Sequence, residues 1–203
     1  HPGKRSIWCC HGGVPSCTLK ETGATDKPWT IEELNALTRF YKPNALTPSK
    51  RAPKAVLTLN EILWNDPMSN SSKKPKSGSN PKDKQQLFMR NEKRGGFCHF
   101  FSESALVAFC AANNLAAVIR GHQYKYTKDG GYAVDFNGHL ITVFSSSNYC
   151  GIESNVTGCV YVTADMEIRP QVLRTLSESS AYRKFNFFEI KVNDKKEITD
   201  IVM

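Results

Sequence analysis

The sequence predicts a mixed α/β chain, and three patterns carry that prediction. Apolar runs at Gly131 to Phe136 and Leu140 to Phe144 flank Asn137-Gly138, the arrangement of two strands joined by a type I′ turn. Ser6 to Cys10 reads as a further short, buried strand. Helix starts lie between them, at the capping box Thr30-Ile31-Glu32-Glu33 and at Ser102. The outer ends of the paired runs carry reactive side chains: Arg120 and His122 on one side, Asn148, Tyr149 and Cys150 on the other. Loops at the ends of rigid strands are where binding and catalysis concentrate.

In chain order, Ser6 to Cys10 runs into His11-Gly12-Gly13, and the two glycines let the backbone turn sharply and leave the ring uncovered. A lone histidine after a strand is more often a satisfied structural residue. Ile31, Leu34, Leu37 and Phe40-Tyr41 continue the first helix. Thr58-Leu59-Asn60-Glu61 repeats the start signal ahead of Ile62-Leu63-Trp64, and Asp66-Pro67 ends that short helix. From Ser69 to Gln86 the chain turns to Ser, Lys, Pro, Asn and Gly and buries too little to offset its entropy, so a lysine-rich mobile loop is expected, bounded at 69–90. It is solvated, with room for a role in steering anions. Arg94 precedes Gly95-Gly96, and an arginine on such a turn can fork onto phosphate or carboxylate oxygens. Read alone, it is a surface arginine. The helix from Ser102 to Asn114 carries an apolar stripe, His99 and His139 sit in apolar patterns as structural residues, and Cys159 to Thr163 pairs with Ile168 to Leu173. Residues 176–203 form a tail or hairpin.

The 203 residues suit one domain, and the formal charge of +8 favours anionic partners without choosing among them. Seven cysteines without a C-x-x-C pair read as free thiols in a reducing compartment, the cytoplasm or nucleus, with Cys9 and Cys110 as small buried hydrophobes. Asn70-Ser71-Ser72 and Asn155-Val156-Thr157 fit the glycosylation sequon, but no signal peptide precedes them and both are discounted. No apolar run approaches the ~20 residues of a membrane span. The chain starts at His1 without a methionine and enters a strand within a few residues, as a cut domain would.

Taken together, Cys9-Cys10-His11-Gly12-Gly13, Leu63-Trp64-Asn65-Asp66-Pro67, Asn91 to Gly95, Ile119-Arg120-Gly121-His122-Gln123, Gly131-Tyr132, Leu140 to Gly151 and Gly158-Cys159 resemble, in this order, the serine/threonine phosphoprotein phosphatase family. The resemblance implies the C-terminal portion of a catalytic domain over residues 1–175, built as part of the two-sheet α/β/β/α metallophosphoesterase sandwich. It implies that His11 and His122 ligate one of two active-site metals (Mn, Fe or Zn), that Arg94 holds the substrate phosphate, and that Tyr149 overhangs the metals. Cys150 matches the thiol that microcystin-type toxins attack in some members, and Asn148 and Arg120 take orienting roles. The implied chemistry is direct attack of a metal-activated water on phosphoserine or phosphothreonine, with phosphoproteins as substrates and regulatory subunits as partners.

The family's GDxHG, GDxVDRG and GNHE signatures, which carry the second metal's ligands, are absent from these residues. Other departures are Val14-Pro15, Gly121 for alanine, Ser146-Ser147 for Ala-Pro, and the long lysine loop. These residues alone are therefore expected to be inactive, since a half-site is poorly preorganised. Two alternatives stand beside the enzyme: a non-catalytic relative that binds phosphoproteins or other anions through Arg94 and the lysine loop, and, more weakly, a basic nucleic-acid module, for which interleaved aromatics and motifs are missing.

Overall fold

The computed structural model describes residues 6–16, 27–37, 54–68, 87–127, 129–173, 189–192 and 198–202. Its central sheet has the order β1–β5–β7–β6. β1 (Ser6–Cys10), β5 (Leu115–Arg120) and β7 (Leu140–Val143) run parallel, and β6 (Tyr132–Asp135) pairs antiparallel with β7. Side chains alternate across each strand, and this divides the core in two. Val118 and Leu140 join Leu106, Phe109 and Cys110 of α3 (Glu103–Ala112), together with Val14, Trp29, Leu34 and Phe101. Ala117, Ile119 and Ile141 face the opposite way, onto Val160 and Ile168 of the antiparallel pair β8 (Thr157–Val162) and β9 (Ile168–Leu173). Helix, sheet and second sheet therefore stack as layers, and the architecture is mixed α/β. Burying residues such as Leu106 and Phe109 contributes roughly 1.5–3 kcal/mol each.

Helix α1 (Ile31–Asn35) begins at the expected capping box: the Glu33 amide donates to Thr30 Oγ1 at 3.1 Å, and the Thr30 amide donates to Glu33 Oε2 at 2.8 Å. Its anticipated extension to Phe40-Tyr41 falls outside the described residues. Helix α2 (Lys54–Trp64) starts one turn before Thr58, which is a buried mid-helix residue and not a cap. Ala55, Val56 and Leu57 already carry helical character there, so tertiary packing overrides the local start signal. Ser102 caps α3 as expected, accepting from the Ala105 amide at 3.2 Å.

Three further expectations are corrected. β1 is half-exposed and not buried, because among the described strands only β5 pairs with it, and Cys9 is accordingly exposed whereas Cys110 is buried. The β6–β7 connection is a four-residue loop, 136–139, in which Phe136, Asn137 and Gly138 all have positive φ, in place of a two-residue turn, since Asp135 pairs directly with Leu140. The lysine loop's bounds overran: residues 69–86 lie outside the described residues, but Phe88–Arg90 form β3, paired with β4 (His99–Phe101), which also takes up β2 (Asp66–Pro67). Near the end of the chain, β10 (Glu189–Val192) and β11 (Ile198–Val202) form an antiparallel hairpin.

The two sheets meet at a glycine crossing. A Cβ on Gly158 would lie 2.0 Å from the Gly131 carbonyl oxygen, so only glycine fits there.

Candidate active site

All three parallel strands empty at one edge of the sheet. β1 leads into His11, β5 ends on Arg120 and leads to His122, and β7 leads through Phe144 to Tyr149. In open α/β sheets, ligands collect outside these carboxyl ends. Gly12 and Gly13 serve this edge differently from what the sequence suggested: a Cβ on Gly12 would meet the Leu63 backbone at 2.5 Å, and one on Gly13 would meet the Phe101 ring at 2.3 Å. Their amides instead donate to the Ile62 carbonyl at 2.8 and 3.2 Å, which docks the His11 loop on the end of α2.

That docking brings Trp64 and Asp66 to the site. Asp66 is 2% exposed. Its Oδ2 accepts from Arg94 Nε at 2.8 Å and Asn91 Nδ2 at 3.2 Å, and its Oδ1 accepts from Arg120 Nη2 at 3.2 Å. Arg120 is fully buried; its Nε donates to the Gly12 carbonyl, its Nη1 to Gln123 Oε1 at 2.7 Å, and its Nη2 also reaches the Asn65 carbonyl at 3.4 Å. Arg120, for which an orienting role is expected, thus bonds to the loop after β1, to Asn65 and Asp66, and to Gln123. Asp66 received no role beyond ending a helix, although it lies within a stretch that carries the resemblance. Only the fold shows that two arginines converge on it.

His11 and His122 converge as expected. His11 Nε2 and His122 Nδ1 are 3.1 Å apart, and Trp64 packs edge-on against the His122 ring with centroids 5.1 Å apart. Burial, then Arg120 and Arg94, lower the His11 pKa. Burial, then Arg94, Arg120 and His11, push His122 down to about 3. Both rings are therefore neutral at ordinary pH, with lone pairs available. His122 Nε2 is buried without a hydrogen-bond partner and lies 3.8 Å from Asp66 Oδ1, so a proton there would face a carboxylate and leave Nδ1 free. Two neutral nitrogens at this separation suit one shared cation, whose nitrogen bonds are ~2.0–2.1 Å long. Among the described residues, no group of three or more His, Cys, Asp or Glu converges on a metal position, and what those residues offer is a pair of imidazole nitrogens.

Arg94 stands at the rim on a 3-10 turn closed by Gly95 at φ 75°, its guanidinium 5.5 Å from the Trp64 ring centre. His11, Trp64, Arg94, His122, Tyr124 and Tyr149 line a single cleft of about 750 Å³. Two arginines against one aspartate leave the site net positive, which suits an anion.

The far wall is aromatic. Tyr149 lies with ring centroids 5.3 Å from Tyr124 and 5.1 Å from Phe144. The nearby Glu153 carboxylate, ahead of burial, pushes the Tyr124 hydroxyl up to about 12. Buried Asn155 pegs the loop: its Nδ2 donates to the Ser146 carbonyl at 2.7 Å and its Oδ1 accepts from the Tyr149 amide at 2.8 Å. Asn148 has φ 42° and its Oδ1 receives the Ser154 amide at 3.4 Å, while Cys150 is exposed. His99 and His139 are structural, near Glu61 Oε1 (2.7 Å) and the Phe136 carbonyl (3.0 Å).

The profile of the calcineurin-like phosphoesterases matches residues 1–126. The chain belongs to that family, as a phosphoprotein-phosphatase-type metallophosphoesterase domain. It is 33% identical over 158 residues to serine/threonine-protein phosphatase T of Schizosaccharomyces pombe, covering 78% of this chain and 26% of that protein. It is 32% identical over 150 residues to serine/threonine-protein phosphatase 5 of Solanum lycopersicum, covering 74% and 20%. The fold matches a solved protein serine/threonine phosphatase from Saccharomyces cerevisiae, with similarity to human phosphatase PP5, at a TM-score of 0.56 and 20% identity, over 86% of this chain and 46% of that one. The chain thus spans about a quarter of the length of the first of these relatives. The family implies divalent metal ions.

Proposed function

We propose that the cleft is the phosphate-binding side of a metal-dependent serine/threonine protein phosphatase site, acting on phosphoproteins. His11 and His122 would hold one metal ion, of Mn, Fe or Zn character given their imidazole nitrogens. Bound metal ions of this class supply Lewis-acid charge stabilisation and a nucleophilic water. The chain's own residues do the positioning. Arg94 presents a guanidinium to the phosphate oxygens, Asp66 fixes Arg94 through Nε, and Arg120 ties the histidine loops to the aspartate. Tyr149 lines the same cleft as Trp64.

The observation that carries this reading is the 3.1 Å approach of two neutral imidazoles, 111 residues apart, in one cleft with Arg94. Because the pair is a two-nitrogen site, these residues alone should not turn over substrate. Calorimetric titration of the 203-residue chain with Mn²⁺ tests the assignment: binding that is lost in both His11→Ala and His122→Ala supports it, and undiminished binding in either variant refutes it. Phosphate affinity of the Mn²⁺-loaded chain should fall in Arg94→Met. Phosphate binding that depends on Arg94 but not on Mn²⁺ would favour the non-catalytic anion binder.

A further inference from the structure

Arg94 lies in the loop that joins β3 to β4, and one side chain of that loop is turned away from its own turn. Asn91 stands where a side chain ordinarily caps the 3-10 turn Glu92–Arg94, yet it makes no cap bond. It is 1% exposed and reaches to β2, where its Nδ2 donates to Asp66 Oδ2 at 3.2 Å. That same oxygen accepts Arg94 Nε at 2.8 Å. The amide lies this way round because a flipped group would set its own oxygen against the carboxylate. Among the described residues its buried Oδ1 finds no partner, so what the side chain contributes is a donor. An idle amide oxygen in the interior is unfavourable, and an apolar residue of the same shape would fill the space without it, so the position needs a reason beyond packing. The Asn91 backbone acts on the same turn: its carbonyl accepts from the Arg94 amide at 3.1 Å and the Gly96 amide at 3.0 Å, and its amide donates to the Cys98 carbonyl at 2.9 Å.

We propose that Asn91 is the positioning residue for Arg94, aiming its guanidinium through the oxygen of Asp66 that the two side chains share. The Asn91 carbonyl shapes the turn from which Arg94 departs, while Nδ2 takes one lone pair of Asp66 Oδ2 and leaves the other for Arg94 Nε. With Nε committed to the aspartate, the two terminal nitrogens are the ones left to fork onto an anion in the cleft that Arg94 lines. Holding the guanidinium in place ahead of binding removes part of the ordering cost from the binding step. The gain in phosphate affinity rests on the reading of Arg94 as the residue that holds phosphate. The aiming of Arg94 does not, since the chain itself makes every bond in it.

Two measurements on the full 203-residue chain test this, the first without metal or phosphate. Asn91→Leu keeps the shape and the backbone bonds of the turn and loses the donor. Exchange of the Arg94 Nε proton with water, followed by NMR and assigned by its loss in Arg94→Met, should speed up about fivefold, the effect of one modest hydrogen bond. The Arg120 Nε proton, bonded to the Gly12 carbonyl, should exchange as slowly as in the parent. Inorganic phosphate, titrated calorimetrically into the Mn²⁺-loaded chain, should bind Asn91→Leu about fivefold more weakly. In the Arg94→Met background the same substitution should change phosphate affinity by less than about twofold, because Asn91 acts through Arg94. Equal losses in both backgrounds would mark a merely structural residue and overturn the proposal. Unchanged exchange at Arg94 overturns it too, as does faster exchange at Arg120 as well, which would mean general loosening. Asn91→Ala repeats both measurements without the bulk of leucine, and if neither variant folds, Asn91 is structural and the proposal falls. Phosphate binding that is absent, or indifferent to Arg94→Met, would sink the phosphatase reading and leave the exchange rates to decide the aiming of Arg94 separately.

Discussion

Replacing Asp66 by asparagine should destabilise the fold far more than removing the arginine it visibly presents to the cleft. Asp66 neutralises two guanidinium groups in unlike surroundings: the Arg120 side chain is 0% exposed and the Arg94 side chain 27%. A buried charge stripped of its partner costs roughly 3–5 kcal/mol. Arg120 keeps the Gly12 and Asn65 carbonyls and Gln123, so the lower end of that range, about 3 kcal/mol, applies. Water can take over much of the Arg94 interaction, and Arg94→Met should cost about 1 kcal/mol or less. Urea unfolding monitored by tryptophan fluorescence reads both, because Trp64 packs beside Arg94 and His122. With a urea slope of ~2 kcal/mol/M, Asp66→Asn should lower the midpoint by about 1.5 M and Arg94→Met by about 0.5 M or less. An Asp66→Asn midpoint within about 0.5 M of the parent, or an Arg94→Met loss of equal size, would refute the claim that Asp66 serves chiefly to neutralise buried Arg120.

The metal-free chain should lose stability in acid through His122. In the folded state this group titrates near 3, against 6.5 for an unhindered histidine, so below pH 6.5 the unfolded chain takes up the proton first. The contribution is fully present above about pH 6.5 and drains by up to ~1.4 kcal/mol per pH unit as the pH falls toward 3; His122→Gln should flatten the urea midpoint against pH over that window, and an unchanged slope contradicts the assignment. Gly121→Ala should be neutral or stabilising by about 0.4–1 kcal/mol, since a Cβ there meets the Val143 carbonyl at 3.5 Å without positive φ. Gly158→Ala should lower the melting temperature sharply, by several degrees, because its Cβ would occupy the Gly131 carbonyl.

The parts of the structure that local rules govern were legible in the sequence. β1 ends where its apolar run ends, Thr30 and Ser102 cap as their side chains allow, and β8 pairs with β9. His11, His122, Arg94 and Tyr149 were reached through the ordered family resemblance, and the fold does bring them to one cleft. Asp66 was illegible because its importance is a tertiary fact: an aspartate before proline looks like any helix stop until β5 delivers a guanidinium from 54 residues away. Gly12 and Gly13 were misread for a related reason. Their use is close approach to α2 and Phe101, a constraint from another element that no turn rule contains. Two- and three-residue strands such as β2 and β4 are defined by their partners and leave almost no periodic trace.

The guanidinium of Arg120 assigns each of its three nitrogens to a different acceptor group, drawn from the loop after β1, the exit of α2 and the turn beyond β5. Three segments remote in sequence are thereby joined at one guanidinium, and none can swing out without breaking its bond to Arg120. Their openings should be coupled, so that the histidine pair and its acidic neighbour open as one cooperative block. A lysine there, with a single nitrogen at the end of a flexible stem, could not serve all three segments together.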